Sequence, residues 1–234
     1  MKINVHKSNE RGTSRYDWLL SRHSFSFANY YNPKKMNFGA LRVLNDDIVD
    51  AGKGFGMHRH ENMEIVSIVL EGSLEHKDSM GNHGIIKENE VQRMSAGTGV
   101  NHSEFNHSKT DKSHFLQIWI EPNEMGLEPS YEQKNIPTTK NKLHEVASGT
   151  KKKNIVYMHQ NAFMFVGNFD KGNAVMQKIR YSSHGAFVFV IEGEIELEKN
   201  ILAAGDSAEI TGAGKVAFKA NKQSKVLLIE VPMN

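Results

Sequence analysis

The chain has 234 residues, 38% of them hydrophobic, and a formal net charge of +2. That is room for one large domain or two of roughly 100–120 residues, and the charge is too mild to argue for nucleic acid. The absence of cysteine removes disulfides, iron–sulfur clusters, thiolate zinc sites and a cysteine nucleophile together, so any metal has to be held by nitrogen and oxygen.

In chain order, Met1–His6 lacks the apolar run of a secretory signal. No later stretch approaches the ~20 apolar residues of a membrane helix, so a soluble, cytoplasmic protein with no membrane association is expected. A short helix is predicted around Tyr16–Leu20, and Ser24-Phe25-Ser26-Phe27 alternates as a strand does. From there the apolar runs are brief and β-branched: Ala40–Leu44, Ile65–Leu70, Phe115–Ile120, Ala186–Ile191 and Val226–Val231. Glu71-Gly72, Met80-Gly81-Asn82 and Glu192-Gly193 mark turns, because glycine accepts positive φ without steric cost. Short runs with turns at regular spacing predict an all-β protein.

An internal repeat sets the architecture. Ile68-Val69-Leu70-Glu71-Gly72-Ser73-Leu74-Glu75 recurs as Phe189-Val190-Ile191-Glu192-Gly193-Glu194-Ile195-Glu196. A glycine-spaced segment follows each copy, Ala96-Gly97-Thr98-Gly99 and Gly212-Ala213-Gly214. The stretch Glu121–Lys153 is rich in Pro, Asn, Lys and Thr, and its Lys151-Lys152-Lys153 run belongs on a solvated loop. The chain is expected to form two tandem β-barrels: 1–125, a linker over 126–150, and 151–234.

His58-Arg59-His60 follows the glycine-rich turn Gly52–Gly56, and His102-Ser103-Glu104 follows the second glycine segment. On a strand, residues i and i+2 share a face. Two such pairs facing each other inside one barrel supply three nitrogens and a carboxylate oxygen, a set that suits iron, manganese, cobalt, nickel, copper or zinc. One His-x-His pair is ordinarily structural; the second pair, placed behind the matching turn of the same repeat unit, is what points to metal. Glu64 lies four residues after His60, on the same side of an unbroken strand, and is an alternative ligand or an acceptor that orients an imidazole. The second repeat is a control. At the repeat offset His58, His60 and Glu64 map to Ile179, Tyr181 and Gly185, and His102 and Glu104 map to Ala217 and Lys219 or to Phe218 and Ala220. No ligand survives, and the isolated His159 and His184 are expected to be structural or solvated.

The two histidine clusters resemble the two cupin motifs. More narrowly, the chain resembles the pirin family of bicupins, and within it bacterial members with quercetin 2,3-dioxygenase activity. The segments that carry this are His23–Tyr31, Leu41–Asp47, Gly56–His60, Leu70–Gly72, His76–Asn82, Met94–Gly99 and His102–Glu104. The resemblance implies two double-stranded β-helix, jelly-roll-like barrels with a degenerate second one. It also implies Glu104 as the carboxylate ligand beside His58, His60 and His102, and one divalent ion per chain, Fe(II) above all. The implied activity is opening of a flavonol heterocycle with O₂ and release of CO. Glu104, or Glu64 if unligated, would accept the substrate's hydroxyl proton, with Phe25, Phe27, Met57 and Phe105 as pocket walls. The other implied function is a non-catalytic metal- or redox-sensing regulator that binds a protein partner.

Overall fold

A computed structural model describes residues 1–233 of the chain. Among these residues no α-helix forms; one 3-10 turn, Ser8–Glu10, interrupts 22 strands. Among the described residues no helix is long and apolar enough to cross a membrane.

The strands build two seven-stranded and two four-stranded sheets. In the first half the seven-stranded sheet runs Ser130–Asn135, Glu90–Ser95, Glu64–Glu71, Ser113–Ile120, Leu41–Val49, Leu19–His23, Gly12–Tyr16. Its four-stranded partner runs Gly54–His60, Val100–Asn106, Ser73–Asp78, His83–Lys87. The second half repeats the plan, with Ser207–Thr211, His184–Glu192, Ser224–Pro232 and Phe163–Phe169 at the heart of its larger sheet. Each half is a cupin-type barrel, as expected.

Why the apolar runs read as continuous rather than alternating is explained by the packing. In Glu64–Glu71, Val66, Ile68 and Leu70 enter a core shared with Phe187, Phe189, Leu227, Ile229 and Val231 of the second half. The intervening Ile65 and Val69 point into their own barrel. In the second half Ala186, Val188, Val190 and Leu228 likewise fill their own barrel. Each large sheet is therefore buried on both faces, the inner face of the first also carrying polar Asn45, Asp47 and Gln117, and the two sheets seal against each other through their apolar outer faces. Each such Val, Leu, Ile or Phe contributes about 1.5–3 kcal/mol by leaving water.

Several local expectations are corrected. Tyr16–Leu20 is not a helix but the tip of a hairpin, Gly12–Tyr16 paired with Leu19–His23, turning at Asp17-Trp18. Ser24–Phe27 is not a strand: Ser24 donates its N–H to Leu44, Ser26 to Lys35, and Phe27 closes a bridge with Tyr30. The stretch 126–150 is more than a linker. It lends Ser130–Asn135 to the first large sheet and His144–Ser148 to the second, because both sheets have edge N–H and C=O groups to satisfy. Lys2–His6, assigned above to the first barrel, pairs instead with Ser207–Thr211 and closes the edge of the second large sheet.

Candidate metal centre

The strand Gly54–His60 sends His58 and His60 to one side, and its neighbour Val100–Asn106 lies antiparallel with His102 directly opposite His58. Ring centroids are 4.4 Å apart for His58 and His102, 4.8 Å for His58 and His60, and 4.9 Å for His60 and His102. One ring nitrogen from each lies within 4.8 Å of the others. His58 Nδ1–H donates to the Gly56 carbonyl at 2.8 Å, which directs the Nε2 lone pair into the cluster.

A buried imidazole left without partners costs free energy unless something else binds it. His102 is fully buried and neither of its ring nitrogens has a hydrogen-bond partner. Burial, reinforced by the neighbouring imidazoles, lowers His60 to about 4 and His102 to about 3. Both rings are neutral at pH 7, the state that ligation requires. The donor set thus fits one metal ion.

Glu104 is buried in the same strand as His102, beyond a register shift between the two residues. One carboxylate oxygen accepts a hydrogen bond from Gln117 Nε2 at 2.6 Å, the other from Ser67 Oγ at 3.3 Å. Gln117 Oε1 in turn accepts from Trp119 Nε1 at 3.2 Å, which fixes the way the amide faces. Trp119 also presents its ring at 4.9 Å to His60. The carboxylate groups with His102 and with His76, a fully buried residue the spacing argument did not single out. His76 Nε2 pairs with Asp78 at 2.9 Å, and its Nδ1 has no partner. The signal was present: His76-Lys77-Asp78 is a third pair of i, i+2 spacing, on the strand that flanks Glu104.

Glu64 is not in the cluster. Its carboxylate accepts the His159 backbone N–H at 3.1 Å and faces that residue's ring nitrogen at 3.4 Å. The strand is broken at Asn62, which takes φ 49, and the chain crosses there from the small sheet to the large one. Counting four residues from His60 therefore does not preserve the face. His159 and His184 lie outside the cluster, the former against Glu64 and the latter against Glu230 at 3.1 Å. In the second barrel the counterpart strands, Ala174–Lys178 paired with Lys215–Ala220, carry neither histidine nor acid.

His58, His60 and Glu104 line a cavity of about 500 Å³. Its walls are aromatic and apolar: Trp18, Leu19, Phe27, Phe55 and Trp119. Of the four wall residues expected from sequence, only Phe27 lines it. Met57 is 63% exposed and Phe105 37%, since each sits one residue from a ligand candidate and alternation turns it outward. Phe25 instead packs against Phe187 at 5.6 Å between the barrels. The hairpin mistaken for a helix supplies much of the wall.

Comparison with known proteins agrees with this architecture. Residues 4–120 match the Pirin family model, and residues 145–231 match the Quercetinase C-terminal cupin domain. The chain belongs to the pirin family. Among pirins it is 40% identical over 230 residues to a protein of Escherichia coli K12 named quercetin 2,3-dioxygenase, covering 98% of this chain and 99% of that one. The crystal structure of the bacterial pirin YhhW from Escherichia coli in complex with nickel(II) superposes with a TM-score of 0.94 at 38% identity, covering both chains fully. GK1651 of Geobacillus kaustophilus, at 22% identity and a TM-score of 0.81 over 99% of this chain and 96% of its own, shares the fold.

Proposed function

We propose that this pirin is a metal-dependent dioxygenase that opens the heterocyclic ring of a flavonol such as quercetin, with O₂ as co-substrate and release of CO. The observation that carries this is a cluster of three imidazoles, two of which line a cavity walled by flat aromatic side chains. The names of its relatives agree. His58, His60, His102 and Glu104 would hold one divalent ion: iron is what the family resemblance implies, and nickel is the ion in the YhhW complex. When bound, the ion supplies Lewis acidity that favours the ionised form of the substrate hydroxyl.

The protein's own groups do the rest. Trp18, Phe27 and Phe55 line a slot for a planar ring system and keep water from it. Glu104 accepts the hydroxyl proton, its oxygens aimed by Gln117 and Ser67. The second barrel, without ligands of its own, serves as the packing partner that stiffens the large sheet under the site.

The test is incubation of the metal-loaded protein with quercetin under O₂, following flavonol loss and CO together. Turnover with one CO per flavonol is expected; no turnover with any ion from manganese to zinc would reject the proposal. Gln117→Leu frees one Glu104 oxygen from its support and should weaken metal retention by roughly 10–100-fold, measured by competition with a chromophoric chelator. Unchanged retention would take Glu104 out of the ligand set.

A further inference from the structure

The cavity has a second polar feature, away from the imidazoles. Across the floor of the large sheet, strand register lines up His23 with Asn45, Asn45 with Gln117, and Gln117 with Ser67; the adjacent row pairs Ser21 with Asp47. Ser14, Ser21, His23, Asn45 and Asp47 all line the cavity. Within this group most polar atoms are spent on each other. Asn45 Oδ1 accepts from His23 Nδ1 at 2.8 Å, so His23 Nε2 carries the lone pair that accepts from Ser14 Oγ at 2.8 Å. Asp47 differs. It is 2% exposed, and its Oδ1 has no hydrogen-bond partner.

An unpartnered carboxyl oxygen at a cavity wall is unfavourable unless the occupant of the cavity satisfies it. Gln117 and Ser67 sit beneath Glu104, at the metal end. Asp47 lies on the next strand over from Gln117, and Ser21 one strand further, at about 4.8 Å per strand. A planar substrate anchored over Gln117 therefore spans the Asp47 row within its own length.

We infer that Asp47, with Ser21 beside it, is a specificity residue that hydrogen-bonds a phenolic hydroxyl on the part of the substrate remote from the metal. The substrate class is thereby narrowed to flat aromatic ketones with a metal-binding hydroxyl and at least one further phenolic hydroxyl. This rests on the flavonol proposal above. Burial first, then the charges of Asp46 and Glu104, raises the Asp47 carboxyl to about 7. A carboxyl that keeps its proton near neutral pH donates to a phenol as well as accepting from one. A site built to pair with a hydroxyl discriminates strongly against an analogue that lacks it.

The experiment is anaerobic binding, read by quenching of tryptophan fluorescence, of quercetin and of 3-hydroxyflavone, which has no ring hydroxyl besides the metal-binding one. The natural protein is expected to prefer quercetin by roughly tenfold or more. In Asp47→Leu the preference should fall to about threefold or less, with 3-hydroxyflavone affinity held within about twofold. Asp47→Ala, which adds no bulk, takes its place if the leucine variant does not fold. Asp47→Asn, which keeps a hydrogen-bonding group at that point, should retain at least about a third of the preference. Equal weakening of both ligands, or of neither, overturns the assignment and leaves the flavonol proposal standing. Failure of the natural protein to bind either flavonol overturns both.

Discussion

His102→Ala is expected to empty the metal centre. Binding of a structural divalent ion is worth on the order of 10–16 kcal/mol spread over about four ligands, so loss of one costs roughly 2.5–4 kcal/mol, or about a hundredfold to a thousandfold in affinity. Quercetin turnover should fall at least as far. His102 is the residue to choose because both of its ring nitrogens are buried without a partner and it is common to both donor groups, one with His58 and His60 and one with His76 and Glu104. Elemental analysis should give close to one ion per chain for the natural protein and a small fraction of that for the variant. A second readout is independent of catalysis. Metal at a hundred times its dissociation constant stabilises the natural fold by about 2.7 kcal/mol, and the corresponding rise in melting temperature should vanish in the variant. Stoichiometric metal in His102→Ala would remove this residue from the centre.

Asp47→Asn is expected to make the metal-free protein more stable at pH 8 but not at pH 4. The Asp47 carboxyl is raised from an ordinary 3.8 to about 7, mainly by burial, with Asp46 and Glu104 adding to it and Ser21 and His114 opposing. The native state therefore holds this proton to higher pH than the unfolded chain does. Stability from this group is fully present below about pH 4 and is lost as pH rises through 7. At 1.36 kcal/mol per pH unit the loss is on the order of 4 kcal/mol. Asparagine cannot ionise and escapes it. Urea unfolding of both proteins at the two pH values reads the effect, since only Asp46, Glu104 and His114 are charged neighbours of Asp47 and the remaining groups titrate alike in each. The metal-free form is needed because a cation near Glu104 would offset the repulsion. A difference that does not change with pH would refute the protonated carboxyl.

The sequence made the metal strands legible because their pattern is short-range. His58 and His60, and His102 and Glu104, are each two apart, and strand geometry alone puts each pair on one side. The tandem plan was legible for a similar reason: a strand, a Glu-Gly turn and a strand recur as a unit. What was not legible depends on register or on a single backbone angle. The left-handed Asn62 reverses the expectation for Glu64. The Asp17-Trp18 turn has neither glycine nor proline to announce it, so the hairpin around it passed for a helical turn. His23, Asn45, Gln117 and Ser67 are far apart in sequence and meet only because four strands align. The outward turn of Met57 and Phe105 was open to the same alternation rule that placed the histidines.

The pairing of Lys2–His6 with Ser207–Thr211 bears on how the molecule is assembled during synthesis. Lys2–His6 has to wait for a strand made some two hundred residues later before its backbone groups are matched, so the second sheet is not complete until Ser207–Thr211 has been released. The two lobes are thus tied by a clasp as well as by a greasy seam, and cutting the gene between them would leave the later lobe with a raw, sticky margin.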